Sequence, residues 1–304
     1  MVNTMGALQE QTITAGGQQA RILRGGKSNA PAALFLHGGV PGVTPYCGGS
    51  HIWGDALTPF TNNLDVIAPD LPGSGSTVAG TEPLTVDAIG RHLIALLGAV
   101  SVEAADVIGH DLGGLVGIWL ALNHPARVRS LSIVASPMSA PTGDSLDDIL
   151  FATPPRPLWN RESQAWALER VSYSHAHIDG RLLDACVAAS EGEAHRQAAE
   201  SMKTNFAEAF APSVNRTKGQ LWEACRNAGL PVPTQIVWAS HDPATTREAG
   251  FVLFDVIAAK QKAAQMHVIN RAGSLPFREQ AAAFHHIVAS FGEGVRQEKA
   301  HMAA

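Results

Sequence analysis

An aspartate stands at the centre of residues 109–113, Gly-His-Asp-Leu-Gly, between an apolar run and a segment with the pattern of a helix. A nucleophile on such a strand-to-helix turn is presented at the edge of a sheet, and the flanking glycines relieve crowding in the strained turn. A carboxylate there can attack carbon to form an ester, or it can act as an acid or base once burial raises its pKa. We therefore expect Asp111 to be the centre of a catalytic site rather than only the N-cap of the following helix.

A glycine-rich segment at 37–42, His-Gly-Gly-Val-Pro-Gly, follows another apolar run. The backbone amide of Gly39 or Val40, together with that of Leu112, would face an oxygen on which negative charge develops, as preorganised donors do in acyl transfer. We expect His37 to be a structural hydrogen-bonding residue rather than a proton shuttle. A second glycine-rich turn at 70–76 follows in the chain, and the order of these motifs is more specific than any one of them.

The segment at 238–243, Trp-Ala-Ser-His-Asp-Pro, supplies Asp242 as the acid that would orient a catalytic histidine. A capping or turn aspartate before Pro243 is the alternative. The elbow and the glycine-rich segments give the chain a resemblance to the α/β-hydrolase superfamily, and this resemblance implies a histidine in the loop at 270–277. That loop reads Asn-Arg-Ala-Gly-Ser-Leu-Pro-Phe and has Ser274 at the expected position. The triad that the other motifs predict therefore lacks its base, and Ser274 takes the third place in the candidate catalytic set.

Three explanations of the missing base are open. A substitution, natural or introduced, has removed a catalytic histidine; another histidine, among His110, His241 and His267, takes its place; or Asp111 acts as a general base or acid in a buried apolar pocket, in a reaction that forms no ester. The distinction matters because general-base help contributes about 10²- to 10⁴-fold to such a step, and a neutral serine does not accept a proton near pH 7.

These motifs require a sheet whose strands end at one edge. Short apolar runs predict buried strands at 32–36, 66–68, 106–108, 131–135, 234–238 and 266–269. Segments between them predict helices at 86–97, 112–123, 247–261 and 278–290. Strands that alternate with helices imply right-handed crossovers, so the fold class is α/β with a mostly parallel, doubly wound sheet.

The alternation breaks between 137 and 230, where the chain is rich in helical patterns and has a proline-rich entrance at 152–157. We interpret 137–230 as a helical lid inserted after the sixth strand, and 1–136 with 231–304 as the core. Trp159 and Tyr173 are candidates for the roof of an apolar pocket, and His110 and Phe277 are further candidates for substrate contacts.

Over nearly its whole length the chain resembles the α/β-hydrolase superfamily. The Gly-His-Asp-Leu-Gly-Gly elbow resembles that of epoxide hydrolases and dehalogenases, whose aspartate attacks carbon to form an ester. The His-Gly-Gly-Val-Pro-Gly segment resembles the hydrolases that cleave carbon-carbon bonds in ring-fission products of aromatic catabolism, which normally have serine at the elbow. The resemblance therefore implies the fold more narrowly than the reaction.

The resemblance also implies which further side chains each reaction would need. Epoxide hydrolases use acidic hydroxyls of the lid, usually from two tyrosines, and this chain has only Tyr46 and Tyr173. In a haloalkane dehalogenase the residue after the elbow aspartate would grip the halide as Trp or Arg, whereas here it is Leu112. Opening of an epoxide and cleavage of a carbon-carbon bond both stay open. A binding protein that has lost its histidine, and a lyase or isomerase with Asp111 as base, are the alternatives.

Composition excludes several other classes. Hydrophobic residues make up 45% and charged residues 16%, and the net charge of -5 has no long run of either sign, so neither nucleic acid nor a membrane surface is an expected partner. The three cysteines have no metal-like spacing, and we expect no metal and no cofactor. No signal peptide is visible. We expect a cytoplasmic hydrolase that acts on a small molecule, and a homodimer is left open.

Overall fold

The computed structural model describes residues 7–27, 29–141 and 149–303. Within them the strands form one sheet in the order β1-β2-β4-β3-β5-β6-β7-β8. The first two pairings, β1 with β2 and β2 with β4, are antiparallel, and the others are parallel. The strands are β1 (Gln9–Ala15), β2 (Gln18–Gly26), β3 (Ala32–Leu36), β4 (Asp65–Pro69), β5 (Ala105–His110), β6 (Val128–Val134), β7 (Thr234–Ala239) and β8 (Gln265–Ile269).

The six strands predicted from apolar runs are present, and the mostly parallel α/β architecture is confirmed. Strands β3, β5 and β7 are buried along their whole length, as expected of parallel strands covered by helices on both faces. The expectation that 266–269 forms a buried strand is wrong, because β8 lies at the edge of the sheet and Val268 is exposed. The hairpin β1-β2 is an addition to the predicted set.

Helices cover both faces of the sheet and fill the interval between β6 and β7. They are α1 (Val86–Ala99), α2 (Leu112–Asn123), α3 (Arg161–Arg170), α4 (Gly180–Glu191), α5 (Glu193–Asn205), α6 (Ala211–Arg226), α7 (Arg247–Ala258), α8 (Pro276–Glu279) and α9 (Ala281–Ala303). Helices α3 to α6 form the predicted insert. In the described ranges, none of the helices has the length and apolar character needed to cross a membrane.

Helix α2 fixes the position of the elbow. It is apolar around its whole circumference and packs against β5, β6, α1 and α6, so almost all of its side chains are buried. The opposite face of the sheet packs against an aromatic cluster that includes Trp53, Phe60, Phe277 and Phe284. The β5-α2 junction is thus held rigidly at the carboxyl edge of the central strands, where open α/β sheets bind ligands.

Candidate active site

The elbow residue Asp111 has a strained backbone. Its φ is +47° and its ψ is -114°, a conformation that non-glycine residues rarely adopt. The Asp111 amide donates to Val134 O at 3.1 Å, and Ser136 Oγ donates to Asp111 O at 2.6 Å. These bonds from β6 and the loop after it hold the turn in place, as expected for strain stored at a functional site.

The Asp111 carboxylate lies on the two backbone amides that the sequence assigns to an oxyanion hole. Gly39 N donates to Asp111 Oδ2 at 2.9 Å, and the amide of Leu112 also bonds the carboxylate. The amide of Val40 is used elsewhere, because it donates to Thr44 Oγ1 at 2.8 Å. Burial raises the pKa of Asp111, and the two amide bonds oppose that rise without cancelling it.

Asp242 follows β7 and bonds the side chain of Ser274. Ser274 Oγ donates to Asp242 Oδ1 at 2.5 Å, and the amides of Ala244 and Thr245 donate to the same oxygen at 2.9 and 3.4 Å. Asp242 Oδ2 is buried and has no hydrogen-bond partner among the described residues. Burial raises the pKa of Asp242 to about 6, and the charge of Asp111 adds to this rise. The two carboxyl groups therefore lie close enough to interact.

The backbone of Ser274 is held from two sides. Its amide donates to Val171 O of the insert at 2.7 Å, and its carbonyl accepts from His110 Nε2 at 2.8 Å. His110 is buried, and burial lowers its pKa to about 4, so the ring is neutral. Phe277, which is fully buried, packs on His110 at 5.1 Å between ring centroids. Phe277 thus supports the site from the core behind it.

The other two histidines named as substitutes for the missing base are engaged outside this cluster. His241 Nδ1 lies 2.6 Å from Ser240 Oγ, and the His241 ring packs on the exposed ring of Tyr173. His267 lies on the edge strand and bonds Gln265. The structure brings together Asp111, Asp242 and Ser274, but Tyr173 lies on the surface with 43% of its area exposed.

His37 connects the two glycine-rich turns. Leu71 N donates to His37 Nε2 at 2.9 Å, so Nδ1 carries the proton and donates to Gly38 O at 2.9 Å. The ring is fully buried, and burial lowers its pKa. Its contacts are those of the structural residue that the sequence predicts.

Replacement of His37 by Ala is expected to lower the free energy of unfolding by about 2–4 kcal/mol, since the buried Leu71 amide loses its acceptor and a cavity forms. Urea denaturation of wild type and variant measures the change. His92→Ala is a suitable control, because the His92 ring is also buried but its Nε2 has no partner among the described residues. Equal losses in the two variants would show that the His37 hydrogen bonds contribute little.

Hydrogen bonds connect the insert to the loop that follows the glycine-rich segment at 37–42, which we call the oxyanion segment. Trp159 Nε1 donates to Thr44 O at 2.9 Å, and Cys47 N donates to Gln164 Oε1 at 2.9 Å. Tyr46, in the same loop, is buried beside Gly39. Tyr46 is one of the two tyrosines that the sequence offers as hydroxyl donors, whereas Gln164 belongs to no sequence motif that would place it beside the site.

Two cavities adjoin His195 of α5. The inner one has a volume of about 10 Å³ and lies between Gly39 and Val40 of the oxyanion segment and the insert. The outer one is an open groove of about 570 Å³ that Trp159 and Arg196 also line. His195 packs edge-on against Trp159 at 4.4 Å between ring centroids, and its Nε2 is buried without a partner among the described residues. This residue separates the groove from the oxyanion segment.

Within the described part of the chain, no group of three or more His, Cys, Asp or Glu side chains is arranged to hold a metal ion. The chemical groups at the elbow are two interacting carboxyls, one hydroxyl and two aligned amides. This set can attack carbon, stabilise a negative oxygen and move a proton.

Comparisons with known proteins show the family of the chain. The model of the alpha/beta hydrolase family matches residues 33–287. The 2-hydroxymuconate semialdehyde hydrolase of Pseudomonas sp. (strain CF600) is 27% identical over 265 residues, which cover 85% of each chain. The 2-hydroxy-6-oxo-2,4-heptadienoate hydrolase of Pseudomonas putida is 25% identical over 287 residues, or 92% of this chain and 94% of the relative.

Solved structures show the same fold. The meta-cleavage product hydrolase from Pseudomonas fluorescens IP01 superimposes with a TM-score of 0.71 at 23% identity, covering 93% of this chain and 97% of its own. At this identity the likeness is one of fold.

Proposed function

We propose that this chain, which belongs to the α/β-hydrolase family and is a hydrolase of that family, hydrolyses a small organic substrate through an ester on Asp111. The observation that carries the proposal is the bond from Gly39 N to Asp111 Oδ2. Attack of the other carboxylate oxygen on a saturated carbon, as in epoxide opening, breaks the carbon-oxygen bond of the epoxide, and the released oxygen takes a proton from solvent. The oxygen held by Gly39 N then becomes the carbonyl oxygen of the ester. No cofactor is required.

The amide bonds favour this route over acyl transfer from the substrate. In acyl transfer the negative oxygen develops on the substrate, and the amides must be free to receive it. Here the amides of Gly39 and Leu112 bind the carboxylate of the protein itself. When water adds to the ester, charge develops on that held oxygen, where removal of one such donor typically costs about 10²- to 10³-fold in rate.

The division into core and lid is part of the proposal. The described residues of 1–136 and 231–304 form the catalytic core, and the described residues of 137–230 form a lid; residues 1–6, 28, 142–148 and 304 lie outside the described part of the chain. The bonds from Trp159 Nε1 to Thr44 O and from Cys47 N to Gln164 Oε1 support the lid role, because they hold the insert against the loop that follows Gly39 and Val40. The substrate enters through the groove beside His195.

Carbon-carbon bond hydrolysis is the second candidate. The similarity to hydrolases of 2-hydroxymuconate semialdehyde and 2-hydroxy-6-oxo-2,4-heptadienoate favours it, because it extends over 85% and 92% of this chain. In such a reaction the substrate's oxygen would take the Gly39 amide, and Asp111 would act as a base. No ester would form on the protein.

The two candidates are separated by incubation in ¹⁸O-labelled water. A panel of aryl and alkyl epoxides and a ring-fission dienoate is turned over, and the peptide that contains Asp111 is then weighed by mass spectrometry. Label in the Asp111 carboxyl group is expected after multiple turnovers, and it should be absent from Asp111→Asn, which cannot attack. Turnover without label in Asp111 would contradict the ester route. Saturable binding without any product would indicate a ligand-binding protein that has lost its catalytic histidine.

His195→Ala is expected to raise kcat/KM several-fold for bulky members of the panel and to change it little for small ones, because it joins the groove to the inner cavity. Steady-state kinetics across the panel measures the effect. Lys203→Ala, on the rim of the same groove, is the control. A uniform change for substrates of every size would contradict a gating role for His195.

A further inference from the structure

We propose that Ser274 and Asp242 form a proton relay that performs the work of the missing histidine, with Ser274 Oγ as the atom that meets the hydrolytic water. The inference rests on the proposed ester at Asp111. It replaces a single base by a hydroxyl and a carboxylate in series, and it makes Ser274 a functional residue rather than the remnant of a lost triad.

The first observation is the bond between the two side chains. At 2.5 Å, the distance from Ser274 Oγ to Asp242 Oδ1 is at the short end of the range for a hydroxyl on a carboxylate. The hydroxyl proton points at Asp242, so the lone pairs of Ser274 Oγ face away from it and can accept a second proton. The hydroxyl is thus oriented as a donor to the carboxylate and an acceptor from another group.

The second observation is the rigidity of Ser274. The main chain is fixed by Val171 O on the amide and by His110 Nε2 on the carbonyl, at 2.7 and 2.8 Å. His110 is the residue before Asp111, so one hydrogen bond connects the serine to the elbow. Ser274 is only 7% exposed. A relay needs such fixed geometry, because each proton moves along a preformed hydrogen bond.

The third observation is the state of Asp242. Its Oδ1 accepts three hydrogen bonds, whereas its buried Oδ2 has no partner among the described residues. The unpaired and desolvated oxygen leaves this carboxylate more basic than an exposed one. The charged or titratable groups around the pair are Asp111 and His110 from the elbow, with Glu279 of α8 on the amide of Gly273.

In the proposed step, water adds to the Asp111 ester and the ester bond then breaks. Water oxygen bonds to the carbonyl carbon of the Asp111 ester while one water proton moves to Ser274 Oγ, and the original Ser274 proton moves to Asp242 Oδ1. The electron pair of the carbonyl moves to the oxygen held by Gly39 and Leu112. Collapse of this intermediate breaks the bond between the Asp111 carbonyl carbon and the ester oxygen. That oxygen, which came from the Asp111 carboxylate, leaves on the substrate carbon and takes a proton back through Ser274 from Asp242. The alcohol product leaves with that oxygen. Asp111 keeps the oxygen of the water and gives the remaining water proton to solvent, which offsets the proton taken up when the ester formed, so both carboxylates and the hydroxyl return to their initial state.

This relay avoids the objection to serine as a base. Serine never holds a net positive charge or loses a net proton, since it gives one proton as it receives another. The base in the thermodynamic sense is Asp242, whose pKa of about 6 leaves it deprotonated at neutral pH and more basic than an ordinary aspartate. Formation of the ester removes the charge of Asp111, but burial, the larger cause of the raised pKa, remains.

The test follows the ester by intact mass after rapid quenching. Ser274→Ala is expected to form the ester at the wild-type rate and to hydrolyse it about 10²- to 10⁴-fold more slowly, so the adduct accumulates. Ser274→Thr keeps a hydroxyl and should restore part of the lost rate. Ser172→Ala, which removes a hydroxyl bonded to Leu168 O and to His177 Nε2 in the insert, is the matched control and should behave as wild type.

Two further readouts separate a relay from a structural role. The rate of ester hydrolysis in wild type should rise with pH through about pH 6, as Asp242 loses its proton, and level off above it. Ser274→Ala should lose this rise, and a structural role would leave its shape unchanged. The wild-type rate in mixtures of H₂O and D₂O should show more than one proton in flight.

Different outcomes would contradict the relay and the proposed ester hydrolysis on which it rests. Label at Asp111 in wild type, with ester that disappears as fast in Ser274→Ala as in wild type, would overturn the relay and leave the ester function standing. Turnover without label in wild type would remove the ester itself, and the relay with it. Accumulation in Ser274→Ala with partial recovery in Ser274→Thr supports both.

Discussion

Asp242→Asn is expected to be more stable than wild type above pH 7 and to hydrolyse the Asp111 ester much more slowly. Wild-type Asp242 has a pKa of about 6 against a reference value of 3.8, so the folded chain keeps this proton over a range in which the unfolded chain has lost it. The cost of the buried charge therefore grows as the pH rises from about 4 to about 6, and it reaches roughly 3 kcal/mol above that window.

Asparagine removes this cost but introduces one of its own. Its side-chain amide would place two N–H donors where Asp242 Oδ2 now has no partner, at a penalty of about 1–3 kcal/mol. We expect a net gain of up to roughly 2 kcal/mol in the free energy of unfolding at pH 8, and a loss of roughly 1–2 kcal/mol at pH 4, where little of the cost of the buried charge is present to be removed. Hydrolysis of the ester should fall by about 10²- to 10⁴-fold, because the relay ends on a group that cannot accept a proton.

Urea denaturation at pH 4 and pH 8 measures the first effect, and intact mass of the adduct measures the second. Asp255→Asn, on the exposed side of α7, removes the same charge from the surface and is the control for net charge. A stability difference between Asp242→Asn and wild type that is the same at both pH values would show that the buried carboxylate does not carry the cost. Normal ester hydrolysis in the variant would remove Asp242 from the mechanism.

Gly109→Ala is expected to prevent folding, with a loss of more than about 4 kcal/mol. A Cβ at this position would lie 2.2 Å from Gly113 O and 2.6 Å from Gly114 N. Both atoms belong to the backbone of the first turn of α2, which the core holds on all sides, so neither can move away. The elbow therefore cannot relax around even one methyl group.

Expression level and circular dichroism of Gly109→Ala measure this prediction. Gly219→Ala is the matched control, because Gly219 is in the middle of α6, is exposed, and has nothing within 4 Å of an added Cβ. That variant should gain up to about 1 kcal/mol from the helix propensity of alanine. A folded Gly109→Ala with wild-type melting behaviour would show that the elbow is looser than these distances indicate.

The sequence predicts the parallel part of the fold well, because central strands covered on both faces are apolar throughout and stand out as runs. Strand β3 and helix α2 have the predicted bounds, 32–36 and 112–123. In the hairpin β1-β2, polar and apolar residues alternate and much of one face is exposed. Neither strand therefore has the continuous apolar run that would indicate a buried strand. The edge position of β8 depends on the order of strands, which local patterns do not encode.

The candidate site is also only partly predictable from the sequence. Asp111, Asp242 and Ser274 could be brought together from sequence because each follows a parallel strand, and such strands end at one edge of the sheet. The insert could not be predicted in this detail, because helical periodicity indicates which face is buried and not what covers it. Tyr173, expected over the pocket, packs on His241 at the surface, and His195, absent from every motif, lies beside the oxyanion segment.

The bond from Gly39 N to Asp111 Oδ2 also decides which chemical reagents will recognise this protein. Fluorophosphonate probes and boronic or trifluoromethyl-ketone inhibitors need an alkoxide to bond with and an empty amide pair for the oxygen that results. At this elbow a carboxylate replaces the hydroxyl and already occupies the pair. The chain should therefore not be labelled by the probes that are used to profile serine hydrolases. Alkylating electrophiles such as epoxides are the reagents expected to label it.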